Sequence, residues 1–105
     1  MAKHIVCLTF DFDAESLWSG TFKLNTPSPL SRGDYDVRAA LPRIHALLDR
    51  HELPATFMVP GQVVDDHPDA CAAIAERGRH EAGYHGYYHE SVLDIPIDDE
   101  RELMK

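Results

Sequence analysis

At 105 residues the chain has room for one small domain or part of a larger one. Apolar residues make up 44% and charged residues 27% of it, the balance of a globular protein and not of a disordered one. Eighteen acidic against ten basic side chains give a formal net charge of −8. There is no Lys/Arg cluster to hold nucleic acid or an anionic membrane, and no apolar run long enough to span a bilayer.

Met1-Ala2-Lys3 leads directly into Ile5-Val6-Cys7-Leu8, which is too short for a secretory leader and is followed by acids. A cytoplasmic protein is the expectation. Cys7 and Cys71 both stand in apolar surroundings and read as buried reduced thiols, a Cys7–Cys71 disulfide or a thiolate metal site being the lesser alternative. Residues 4–10 are rich in β-formers and predict a strand covered on both faces in a parallel sheet. Alternation puts Ile5, Cys7, Thr9, Asp11 and Asp13 on one side and Val6, Leu8 and Phe10 on the other. Two carboxylates at the C-terminal end of a buried strand lie on the rim where α/β folds keep their chemistry. The plainer reading is a turn with a helix cap.

From Ala14 to Asp34 the chain is polar and irregular, with Gly20, Pro27, Pro29 and Gly33. So long a loop inside a domain is usually functional or disordered, and Trp18 and Phe22 favour a packed one that walls a site. Trp18 and Arg32 are its candidates for substrate contact, Arg32 by orienting a polar group; core filling and solvation are their ordinary uses. Asp36 predicts the cap of a helix that carries Val37, Ala40, Leu41, Ile44, Leu47 and Leu48 on one stripe. Pro42 interrupts it and predicts a restart with proline in the first turn. His45 and His51 are expected on its exposed face or edge.

A second strand is predicted over 55–59, ended by Pro60-Gly61, then a turn of helix at 62–65 and a helix from Pro68 to Arg77, with Gly78 just past its end. His67 reads as structural. A third strand is predicted over 80–84, and a last helix over 98–105 after Pro96. Alternating strands and helices imply parallel βαβ units with right-handed crossovers, strand two lying between one and three. Asp13 and His85 then end strands on the same rim.

His85-Gly86-Tyr87-Tyr88-His89 sets two imidazoles four positions apart. If the segment turns helically, both rings fall on one face and can reach one ion. Alone, such a pair fits two surface histidines equally well. With a carboxylate from Asp11 or Asp13, it makes the two-His-one-carboxylate set of a catalytic zinc or non-heme iron site, with a position left open for water.

Thr9-Phe10-Asp11-Phe12-Asp13, Pro54-Ala55-Thr56-Phe57 with Gly61, and Gly83-Tyr84-His85-Gly86-Tyr87-Tyr88-His89 together resemble the N-terminal half of the polysaccharide deacetylase (NodB-homology) family. The resemblance runs over essentially the whole chain. It implies an α/β fold, the first three βα units of a distorted TIM-like (β/α) barrel, incomplete here: 1–105 would be the N-terminal part of a catalytic domain. It also implies a divalent metal, zinc first, held by Asp13, His85 and His89, with Asp11 as catalytic base. The sequence departs from the common motif of adjacent aspartates, since Phe12 separates Asp11 from Asp13, and it carries the extra loop ending in Ser31-Arg32-Gly33. Both features resemble the branch of allantoinase-like, cyclic-imidase-like and intracellular peptidoglycan-deacetylase-like proteins.

The resemblance therefore implies hydrolysis of a non-peptide carbon–nitrogen bond in a small amide, an imide or an N-acetylated sugar. The family's later motifs, including the histidine that acts as general acid, have no counterpart here, so the chain alone is expected to be inactive. The alternatives are a non-heme Fe(II) enzyme, marked by a 2-oxo acid requirement, and a non-catalytic metal-binding or assembly fragment. Three strands of an open barrel leave two unpaired edges and an uncovered face, with Ile5, Cys7, Thr56 and Met58 as its candidates. The expected partners besides substrate are a second copy or the rest of the barrel.

Overall fold

Three strands, Thr9–Asp11 (β1), Thr56–Val59 (β2) and Glu81–Tyr84 (β3), form a parallel sheet in the order β1-β2-β3, with β2 central as expected. The computed structural model describes residues 3–105, so Met1 and Ala2, with which the leader reading begins, lie outside it. Between β1 and β2 run the helices Pro27–Tyr35 (α1) and Leu41–Arg50 (α2); Gly61–Asp66 (α3) and Pro68–Glu76 (α4) connect β2 to β3, and Ile97–Leu103 (α5) follows. None of these helices is long and apolar enough to cross a membrane.

Phe57, fully buried on β2, is the centre of the core. Phe10 stacks on it at 5.4 Å, and Leu41 and Leu48 of α2, Val63 of α3 and Ile74 of α4 close around them with Phe12. The apolar stripe of α2 faces the core through Leu41, Ile44 and Leu48, but Leu47, expected on it, is 56% exposed.

The segment before it departs from expectation. Asp36 caps nothing: α1, a π-helical stretch Asp36–Ala40 and α2 follow one another in right-handed helical conformation. The Leu41 amide donates to the Asp36 carbonyl, five residues back. This wide turn immediately precedes Pro42, whose ring would collide with a carbonyl one turn back in a regular α-helix. α2 therefore starts at Leu41 with Pro42 in its first turn, as expected, while the backbone stays helical across the junction. α1 was masked in the sequence by its own punctuation. Pro27 and Pro29 sit in its first turn, where missing amides cost nothing. Gly33 lies against the backbone of Ala14 and Glu15, and a Cβ there would overlap the Ala14 carbonyl.

β1 is shorter than the predicted strand. Leu8 still accepts from the Thr56 amide at 2.9 Å, but residues 3–7 make no strand pairing among the described residues, and Ile5 and Val6 are 89% and 81% exposed. Cys7 is exposed too, and Cys71 half-buried; both are free thiols, so the expectation of two buried cysteines fails at Cys7. Thr56 and Met58 are half-buried, not bare.

His45 is a second correction. It is buried, not exposed, with its ring 5.7 Å from Phe57 and 6.0 Å from His80, and neither ring nitrogen has a hydrogen-bond partner. Burial, then the nearby Arg77 and His80 charges, lower its pKa; burial, then Arg79 and Arg77, lower that of His80. Both rings resist protons in the fold but accept them in the unfolded chain near the ordinary ~6.5. The unfolded state binds more protons, so stability is full above that pH and falls as pH drops below it. His45→Phe, which keeps a ring beside Phe57 and removes one titration, is expected to flatten the drop in Tm between about pH 7.5 and 5.5. Parallel Tm curves for the two proteins would exclude this.

Candidate metal centre

Asp11 pairs with Met58, and Met58 with Gly83, so Asp13 and His85 each stand two residues past the same rung of the sheet. β2 ends at Val59 and α3 starts at Gly61, so no strand fills the space between them. The alternation of the first strand survives its shortening: Phe12 points into the core, and Asp11 and Asp13 flank it.

His89 arrives by a route other than the expected helical turn. Residues 85–90 form a tight non-helical reversal in which Gly86 and His89 have φ of +69° and +57°. The Glu90 carboxylate holds it from inside, accepting from the Tyr87 amide at 3.1 Å and the Tyr88 amide at 2.7 Å. α3 holds it from outside: the Gly61 amide donates to the Gly86 carbonyl at 3.0 Å and the Gln62 amide to the Tyr87 carbonyl at 2.8 Å. The Tyr87 hydroxyl donates to Asp65, which raises its pKa to about 12. On the far side Thr21, in the loop between β1 and α1, hydrogen-bonds both the ring and the carbonyl of His89.

Asp13, His85 and His89 each bring one ligand-capable atom within 4.8 Å of the others. Asp13 Oδ1 lies 3.4 Å from His85 Nε2 and 3.5 Å from His89 Nε2. Two ligands of one tetrahedral zinc, each about 2.0–2.1 Å from it, stand roughly 3.3–3.4 Å apart. Asp13 Oδ1 and His85 Nε2 are buried without a hydrogen-bond partner. Buried polar atoms are rarely left so, and a cation among them would satisfy both. The three residues fit a divalent ion.

The electrostatics agree with this. Burial raises the Asp13 pKa; His89 and His85 oppose that rise, and Asp11 adds to it. Asp36, on the π-helical stretch, is likewise raised by burial, then by Asp13 and Glu15. Asp11 stands apart from the trio. Its side chain is 58% exposed against 16% for Asp13, and of the two imidazoles it approaches His85 alone, at 3.7 Å from Nε2.

Trp18 and Arg32 come together, the Arg32 guanidinium 5.3 Å above the indole, with Phe22 5.8 Å away on the same ring. Among the described residues, neither is hydrogen-bonded or ion-paired to Asp13, His85 or His89. His67 pairs with Glu15 at 2.8 Å, tying the loop after β1 to the α3–α4 junction. A cleft of about 310 Å³ opens beside His85, His89 and Glu90. A larger one, about 510 Å³, lies between α3, α4, β3 and α5; its walls are mainly apolar and include none of the acids or histidines of the site.

Sequence reasoning missed Thr21, Glu90 and Glu15. Glu90 lay in plain view beside the motif, but its role depends on the left-handed turn at Gly86. Thr21 acts across 68 positions of sequence, with no local signal.

The polysaccharide deacetylase family model matches residues 1–104. The chain is 32% identical to a peptidoglycan deacetylase of Helicobacter pylori, over 99% of this chain and 36% of that one. It is 29% identical to a peptidoglycan deacetylase-like protein of Gibberella zeae, over 94% and 30%. A crystal structure from Mycobacterium smegmatis, classed as a polysaccharide deacetylase, superposes with a TM-score of 0.84 at 36% identity, over 93% of this chain and 35% of that one. The chain thus spans about a third of the length of each of these relatives, and its mixed α/β fold resembles their N-terminal part. With that match, and with the rim carboxylates and both histidines in place, the chain belongs to the polysaccharide deacetylase (NodB-homology) family.

Proposed function

We propose that these residues form the N-terminal part of a catalytic domain that hydrolyses a non-peptide carbon–nitrogen bond with a divalent metal. The observation that carries this reading is Asp13 Oδ1, equally near His85 Nε2 and His89 Nε2 at ligand spacing and otherwise unpartnered. Asp13, His85 and His89 hold the ion, and two imidazoles with one carboxylate favour zinc. When bound, such an ion supplies Lewis acidity at the scissile carbonyl and lowers the pKa of water. Asp11, open to solvent at the edge of the trio, takes the proton of the attacking water. The departing amine receives its proton from the part of the domain that completes the barrel.

An N-acetylated sugar is the substrate class, supported by the names of the relatives. A cyclic imide or ureide is the second reading, favoured by the Phe12 spacer between the two aspartates. Trp18 and Arg32 form a wall that the substrate meets. The bare residues Ile5, Val6 and Tyr84 mark surfaces that the rest of the barrel, or a second copy, covers.

The isolated chain is expected to release no acetate from peptidoglycan. A chimera in which it replaces the matched third of the Helicobacter pylori enzyme is expected to release acetate in a zinc-dependent way. A folded, zinc-loaded chimera without acetate release would contradict the deacetylase reading; turnover by the isolated chain would contradict the fragment reading.

A further inference from the structure

The loop between β1 and α1 reaches back over His89 and grips it at two atoms. The Thr21 hydroxyl donates to the His89 carbonyl oxygen at 2.6 Å, and Thr21 Oγ1 is also in hydrogen-bond contact with His89 Nδ1. A hydroxyl has one proton to give. With that proton committed to the carbonyl, Oγ1 can offer Nδ1 only a lone pair, so Nδ1 must carry the imidazole proton. Nε2 is then the bare nitrogen, and Nε2 is the atom that faces Asp13 Oδ1 at 3.5 Å.

We infer that Thr21 is a positioning residue for the metal centre: it selects the Nδ1–H tautomer of His89 and fixes the ring with Nε2 turned to the ion. The inference rests on the reading of Asp13, His85 and His89 as metal ligands. Glu90, the other support of this turn, holds the amides of Tyr87 and Tyr88, and among the described residues only Thr21 hydrogen-bonds the His89 ring. The grip also explains an uncommon backbone. His89 has φ +57°, rare for a non-glycine residue, and Thr21 ties down the carbonyl of that residue as well as its ring.

Two neighbouring features fit this role. Gly20 makes the approach possible, since a Cβ there would overlap the Tyr88 carbonyl oxygen. Gly20 and Thr21 both belong to the π-helical turn Leu17–Thr21, a backbone form that recurs at functional sites. A metal-bound histidine commonly donates its other ring N–H to an oxygen acceptor, and loss of that acceptor typically weakens metal binding. Here the acceptor is a threonine hydroxyl from a loop that no metal ligand occupies.

The test uses the full chain with Thr21→Val, close in shape but without the hydroxyl, and Thr21→Ser, which keeps it. Long-range ¹H–¹⁵N spectra of the zinc-free protein at about pH 8.5, where imidazole is neutral, report the tautomer. Titration with zinc against a chromophoric chelator reports affinity. The wild-type chain and Thr21→Ser should show His89 protonated at Nδ1, and Thr21→Val should shift it toward Nε2–H. Zinc affinity should fall about 10–100-fold in Thr21→Val and stay within about 3-fold in Thr21→Ser. His89 protonated mainly at Nε2 in the wild-type chain would overturn the inference, whether or not Thr21→Val folds. So would zinc binding equally tight in wild type and Thr21→Val. A folded wild-type chain that takes up no zinc would instead overturn the metal reading beneath it.

Discussion

Replacing Asp11 by Asn, in an active deacetylase that carries this chain, is expected to lower turnover about 10²–10⁴-fold and to leave zinc in place. The two aspartates differ in surroundings, and the proposed roles follow that difference. Asp13 is mostly buried and lies almost equally far from both imidazoles, as a shared ligand requires. Asp11 is mostly exposed, reaches only one of them, and at 3.7 Å is too far for a hydrogen bond. It can therefore meet a water at the open side of the ion without competing for the ion itself. Asparagine keeps the size of the side chain and removes its basicity, so the loss should fall on turnover. Measured zinc content decides the matter. If zinc and turnover fall in proportion, Asp11 is a ligand and the base lies elsewhere.

Much of the sheet was legible because strands one and two carry apolar β-formers and end in clear punctuation. Pro60-Gly61 ends β2 before the level of Asp13 and His85, and the strand order is the one that successive parallel βαβ units give. The helices told less. α1 hides behind two prolines and a glycine that local propensity counts against a helix, yet the prolines sit in its first turn and Gly33 buys close contact with Ala14. The π-helical stretch before Pro42 has no hydrophobic signature of its own; it is a consequence of the proline's bulk. His45 misled because a polar residue in a helix is ordinarily a solvated one, whereas here the space beside Phe57 takes a neutral ring.

The candidate site divides in the same way. The spacing of His85 and His89 pointed to shared ligation, but the geometry that brings the two rings together is a left-handed reversal, not a helix. Gly86 and a tyrosine-rich sequence were compatible with either. Residues that support the site from a distance, Thr21 on His89 and Glu15 on His67, emerge only from tertiary packing. Trp18 and Arg32 are adjacent in space, although the loop expected to carry both holds a π-helical turn at Trp18 and α1 at Arg32; substrate contact by them is a proposal.

The central claim is that Asp13, His85 and His89 form one metal site, and elemental analysis of dialysed protein tests it most directly. Removing any one ligand leaves two donors and an open coordination shell, so the loss should be nearly complete and not graded. The wild-type chain is expected to retain about one zinc at pH 8 and to lose it to an excess of a strong chelator. Asp13→Ala, His85→Ala and His89→Ala should each retain almost none at pH 8 while keeping the wild-type circular dichroism. Full zinc content in folded His85→Ala or His89→Ala would show that the ion, if it binds, binds somewhere else.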